Sequence, residues 1–162
     1  MGGCEGRGLK KGDVLRVGDA VAGPMRRGTF PMHIRRDLVR VTDGPQRSWF
    51  RSGLDGAVYR VAEDSNRMGL RLLGPKLEAS RELLTEGVSL GAIQVPPEGQ
   101  PIITFVEHQT TGGYPKVASV ISADLPVVGQ LRPRDELRFE CVSMARALEL
   151  LQEQEARICL SI

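Results

Sequence analysis

The chain has 162 residues, enough to bury one real core, and its 41% hydrophobic and 26% charged composition is that of a globular protein. Its 22 basic and 20 acidic residues are spread along the sequence, leaving a net charge of +2, so no charged field selects for nucleic acid or an anionic membrane. No long apolar run and no leader-like start occur, and three distant cysteines without a CxxC pair argue against a zinc cluster or a disulfide framework, so the expected setting is a reducing cytoplasm.

Scarce aromatics with 19 Gly and 10 Pro predict short strands joined by many turns. A Gly-rich lead holding Cys4 and the turn Lys10-Lys11-Gly12-Asp13 precede a strand over Val14 to Val17. Leu9 to Val17 is echoed by Leu131 to Phe139 as Leu-x-x-x-Asp-x-(apolar)-Arg-(apolar), pointing to a duplicated β unit or a shared turn type. Residues 19 to 36, with Gly23, Pro24, Gly28 and Pro31, read as a linker or irregular loop. A strand over Leu38 to Val41 follows, then a short helix opened by Asp43-Gly44-Pro45 and running to about Leu54, with Trp49 and Phe50 inward. Strands are expected over Val58 to Ala62, Met68 to Leu73, Ile102 to Val106, Lys116 to Ile121 and Arg138 to Val142, the last with Cys141 as a small core residue. Ser143 caps a helix whose Ala147, Leu148, Leu151 and Ala156 recur at helical spacing, with Glu149, Glu153 and Glu155 outward. Short strands with one closing helix give a mainly β fold, a barrel or a sandwich with a helical lid.

The chemistry concentrates in Gly91 to Lys116, where two Gly- and Pro-rich turns flank an apolar strand. Gln94, Gln100, Gln109, Thr110, Thr111, Tyr114 and Lys116 offer neutral donors and acceptors with one cation, a set suited to a carboxylate, an amide or a phosphate. Backbone amides around Thr110, Thr111, Gly112 and Gly113 could form an anion nest beside Lys116, and Glu86 is a candidate general base. Asn66 and Arg67, on a turn before a strand, could orient an anion; Asp124 reads as a cap. His33 and His108 stand alone, no metal site is expected, and neither a nucleophile elbow nor a Walker loop occurs.

Ser65 to Leu72, Glu86-Gly87, Gly91 to Pro101, Gln109 to Lys116 and Val120 to Leu125, with GCEGRGLKKGD near the start, resemble in order and spacing the carboxyltransferase-domain family. This is the family of the 5-oxoprolinase C subunits, also known as the second subunit of allophanate hydrolase, and related to part of urea amidolyase. The resemblance implies a cyclophilin-like β-barrel with a C-terminal helix over residues 37 to 162, and makes residues 1 to 36 the end of a truncated N-terminal half and its linker. It further implies an assembly with a related subunit and a third lactam-utilisation protein, opening the lactam of 5-oxoproline to glutamate with ATP, whose site on this chain it does not locate. One alternative is carboxyl transfer from biotin, carried by a partner because no Ala-Met-Lys-Met-type segment occurs here; the other is a regulatory binding subunit. Taken with the reading of the residues above, the expected catalytic set is Lys116, Tyr114 and Glu86. Asn66, Arg67, Gln94, Gln100, Gln109, Thr110, Thr111, Gly112 and Gly113 are the residues expected to bind a small amide substrate. Glu98 and Glu107 stand where the family commonly has Asp, and Arg134 where it has Gly before Asp135, which alters a turn.

Overall fold

The structure, a computed structural model, describes residues 7–16, 18, 35 and 37–159, without the side chain of Cys159. Cys4, Val17, His33 and most of the expected linker lie outside these residues. The strands are β1 (Leu38–Asp43), β2 (Val58–Val61), β3 (Gly69–Leu73), β4 (Glu86–Gly87), β5 (Ala92–Gln94), β6 (Ile102–Thr104), β7 (Thr111–Gly112), β8 (Lys116–Val120) and β9 (Glu136–Cys141). Among the described residues, two helices, α1 (Leu125–Val128) and α2 (Met144–Cys159), accompany them with two 3-10 turns at Arg47–Trp49 and Ser122–Asp124.

Seven strands close into a barrel in the order β1-β8-β5-β6-β3-β2-β9, and β4 and β7 form a separate two-stranded ribbon. Closure abolishes free sheet edges. It is made by β9, which pairs parallel to β1 through Leu38 with Arg138 and Val39 with Phe139, and antiparallel to β2 through Tyr59 with Leu137. Alternation then drives one face of each strand inward: Val39, Val41, Tyr59, Val61, Leu70, Leu72, Ile93, Ile103, Val117, Leu137 and Phe139 form one core cluster. Tyr59 meets Phe139 edge to face, centroids 5.7 Å apart. A closed barrel with a C-terminal helix is the mainly β architecture expected from the sequence.

Several local expectations are corrected. Asp13 to Arg16 carry no strand pairing, and Val14 and Leu15 are exposed. Alternation alone does not make a strand; it needs a neighbour to hydrogen-bond. The helix expected after Asp43 shrinks to one 3-10 turn, although Phe50 is buried and Trp49 packs on the core as expected. Cys141 is exposed at the end of β9, its Sγ against Asp43 Oδ1; it still pairs with Val41 of β1 but lies three residues beyond Arg138, the last β9 residue paired with β2. In α2, Ser143 Oγ accepts the Arg146 N–H, so the expected cap is present. Leu148 and Ala156, however, face solvent; the inner face is Ala147, Leu150 and Gln154, whose Nε2 donates to the Ala123 carbonyl.

The echo between the two ends resolves as a shared turn type. Asp13 Oδ2 accepts the Lys10 N–H at 2.8 Å, and Asp135 Oδ2 accepts the Arg132 N–H at 2.8 Å. The residue before each aspartate has positive φ, +99° at Gly12 and +76° at Arg134, a region costly for a side chain.

Candidate active site

The ribbon β4–β7 meets the start of β8, and the contact brings Glu86 and Lys116 together. Lys116 is 6% exposed, and its Nζ donates to Glu86 Oε1 and, at 3.0 Å, to the Gly87 carbonyl. A buried ammonium is tolerated only with such partners. The Lys116 hydrogen bond holds the Glu86 carboxyl below its ordinary range, and one from Gln46 assists. Glu86 and Lys116 line a cleft of about 460 Å³ with Pro45, Gly87, Val88, Ser89 and Ser119.

Gln46 reaches this pair from the segment after β1. Its Nε2 donates to Glu86 Oε1 at 2.9 Å, and its Oε1 accepts the Lys116 backbone N–H at 3.1 Å. The segment presses against β8 because Gly44 has no side chain: a Cβ there would lie 2.4 Å from the Lys116 carbonyl oxygen.

On the other side, Glu86 pairs with Gly112 and Gly87 with Thr111 in the ribbon. A Cβ on Gly112 would lie 2.9 Å from Gln94 Nε2 and 3.1 Å from Gln109 Nε2, so two side-chain amides converge where glycine leaves room. Gln94, 3% exposed, leaves its Nε2 buried without a hydrogen-bond partner. An unmade buried bond of this kind costs about 1–3 kcal/mol.

Of the residues singled out from sequence, the structure therefore gathers Glu86, Lys116, Gln94, Gln109, Thr111 and Gly112, while Thr110 anchors the ribbon by accepting the Val88 N–H. Gly113 lies nearby, 3.4 Å from the Leu83 carbonyl oxygen by its would-be Cβ. The expected anion nest is instead extended, paired strand at Thr111 and Gly112. Asn66 and Arg67 are engaged elsewhere: Asn66 Oδ1 accepts the Met68 N–H of its own turn, and Arg67 pairs on the surface with Glu107. Gln100 spends both ends of its amide on the Gly74 backbone. Tyr114 borders a second cleft, with Arg71, Glu98 and Gln100, rather than the one holding Lys116. Asp124 makes no capping bond; it is buried and accepts from the backbone and guanidinium of Arg40. Sequence reasoning missed Gln46, whose partners lie 40 and 70 residues away and leave no local trace.

The chain is 37% identical over 161 residues to the C subunit of 5-oxoprolinase from Haemophilus influenzae, covering 96% of this chain and 52% of the relative. Against the corresponding 5-oxoprolinase protein of Escherichia coli it is 36% identical with the same coverage. The chain thus spans about half the length of the curated relatives it matches. Among solved structures, the K. lactis urea amidolyase superimposes with a TM-score of 0.71 at 29% identity, over 78% of this chain and 9% of that one. The carboxyltransferase domain, subdomain A and B, matches residues 1–141, and with that match the chain belongs to the carboxyltransferase-domain family.

Proposed function

We propose that the chain is a subunit of an ATP-dependent 5-oxoprolinase assembly, and that the cleft of Lys116 and Glu86 receives the lactam. Opening the ring adds water across its C–N bond and yields the second carboxylate and the amine of glutamate. One observation carries this reading: a lysine–glutamate pair stands beside two convergent side-chain amides, one of them a buried donor without a partner. A planar amide bearing a carboxylate has complementary groups for both. Lys116 balances its negative charge, Gln94 and Gln109 donate to the acyl oxygen, and Glu86 accepts a proton from the attacking water. Reaching Gln94 requires Thr111 and Gly112 to lift from Glu86 and Gly87, a ribbon of two residue pairs.

ATP does not suit this cleft. Lys116 is the one cation among the described residues lining it, enough for a single carboxylate but not for the several negative charges of a triphosphate. On this reading ATP is bound by the related carboxyltransferase-family subunit or the third lactam-utilisation protein. The likeness to the K. lactis urea amidolyase favours a second reading, carboxyl transfer from biotin on a partner to urea.

The test is glutamate release from 5-oxoproline by the chain co-purified with its partner subunits. We expect release that requires ATP and falls about 100-fold or more in Lys116→Ala, with the complex still intact. An intact complex that instead carboxylates urea from a biotinylated partner supports the second reading, and one inactive in both assays supports a regulatory role.

A further inference from the structure

Gln46 is 6% exposed and clasps Lys116 twice. Its N–H donates to the Lys116 carbonyl at 3.2 Å, and its side-chain oxygen accepts the Lys116 N–H at 3.1 Å. A backbone N–H can only donate, so the second bond decides which end of the Gln46 amide is oxygen. The Nε2 end is thereby left to Glu86, and it donates to Oε1, the same oxygen that receives Lys116 Nζ. Oε2 of Glu86 has no hydrogen-bond partner among the described residues, and Glu86 lines the cleft with its side chain 39% exposed.

We infer that Gln46 is a positioning residue: by committing Glu86 Oε1 to itself and Lys116, it selects Oε2 as the oxygen offered to a bound substrate. The inference rests on reading this cleft as the site, but the geometry it describes can be measured without turnover. A neutral, hydrogen-bonding side chain is required. A carboxylate at position 46 would set like charges together, and an apolar one would let Glu86 rotate and share both oxygens with Lys116. Lys116, from β8, is the charged group acting on Glu86; Gln46 and the paired Gly112 bring no charge to it.

The experiment is an NMR titration of the 162-residue chain, following the Glu86 side-chain carboxyl carbon, the Gln46 side-chain amide protons and Lys116 15Nζ. In the parent chain we expect the Gln46 amide and the Glu86 carboxyl to shift with one midpoint; separate midpoints overturn the proposal, and this readout needs no variant to fold. Gln46→Met should raise the Glu86 midpoint by about 0.5–1 pH unit, the value of one lost hydrogen bond, and Gln46→Glu should raise it further. A midpoint unmoved in a folded Gln46→Met chain also overturns it. In the assembled enzyme, the same variants should lower kcat with little change in KM and displace the acidic limb of the pH profile upward. Normal turnover alongside a shifted Glu86 titration would instead count against the cleft as the reaction site, leaving the positioning intact.

Discussion

Glu86 gains its low-lying carboxyl from Lys116 first and Gln46 second, and this gives folding a pH signature. Its folded value lies below that of the unfolded chain, so the stabilisation is complete above the ordinary glutamate value of about 4.3 and is lost as pH falls through the lowered folded value. Glu86→Gln should therefore be less stable than the parent at neutral pH, with the two converging in acid. Urea unfolding at a series of pH values checks this, and a constant gap down to about pH 3 would contradict it. Lys116 and the run from Gln109 to Gly113 were legible because polar side chains among Gly and Pro in a short stretch mark a shaped loop. Asn66, Arg67 and Gln100 carried the same signal, but Asn66 Oδ1 is taken by its own turn, Arg67 Nε by Glu107, and both ends of the Gln100 amide by the Gly74 backbone. Composition shows what a side chain can bond, not what already bonds it.

The turn before β9 belongs to the next scale. Arg134 occupies a φ of +76° where the equivalent turn uses Gly12, and its side chain reaches Glu63 on the surface. An exposed pair of that kind is worth little, whereas a side chain in the left-handed region costs about 1 kcal/mol. Arg134→Gly should raise Tm by about 2–4 °C in a calorimetric scan; an unchanged or lower Tm would show that the Glu63 pair outweighs the strain. Asp124 ties the 3-10 turn before α1 to β1 through Arg40, and it is buried. Asp124→Asn leaves the Arg40 guanidinium unmatched and should cost about 3 kcal/mol by denaturant unfolding. The helix start at Ser143 was readable from its capping chemistry, but the buried stripe of α2 was misplaced by choosing Leu148 over Leu150. Both fit a helical period, and the packing of Ala147 against Ile121 and Ala123 decides which faces in.

Over the whole molecule, the inward residues of most strands could be read from alternation, but the order of strands around the barrel could not. The ladder β3-β6-β5-β8-β1 joins segments whose neighbours are set by register and closure rather than by local pattern. Short β4, β5 and β7 escaped notice for a related reason: two or three residues are too few to show a period. Phe139 sits where β9 packs on Tyr59 and closes the wall, so Phe139→Ala should cost about 3–5 kcal/mol. Amide exchange should also speed throughout the barrel, since one closed ladder opens as a unit; protection lost in β9 alone would speak against that cooperativity. The parallel pairing of β1 with β9 joins residues 100 apart in the chain. A chain emerging from the ribosome must therefore carry β1 without one of its neighbours until the segment around Arg138 has cleared the exit tunnel. Its exposed Val39 and Val41 then become clients for holding chaperones, and closure comes late and slowly, as for other folds built on distant contacts.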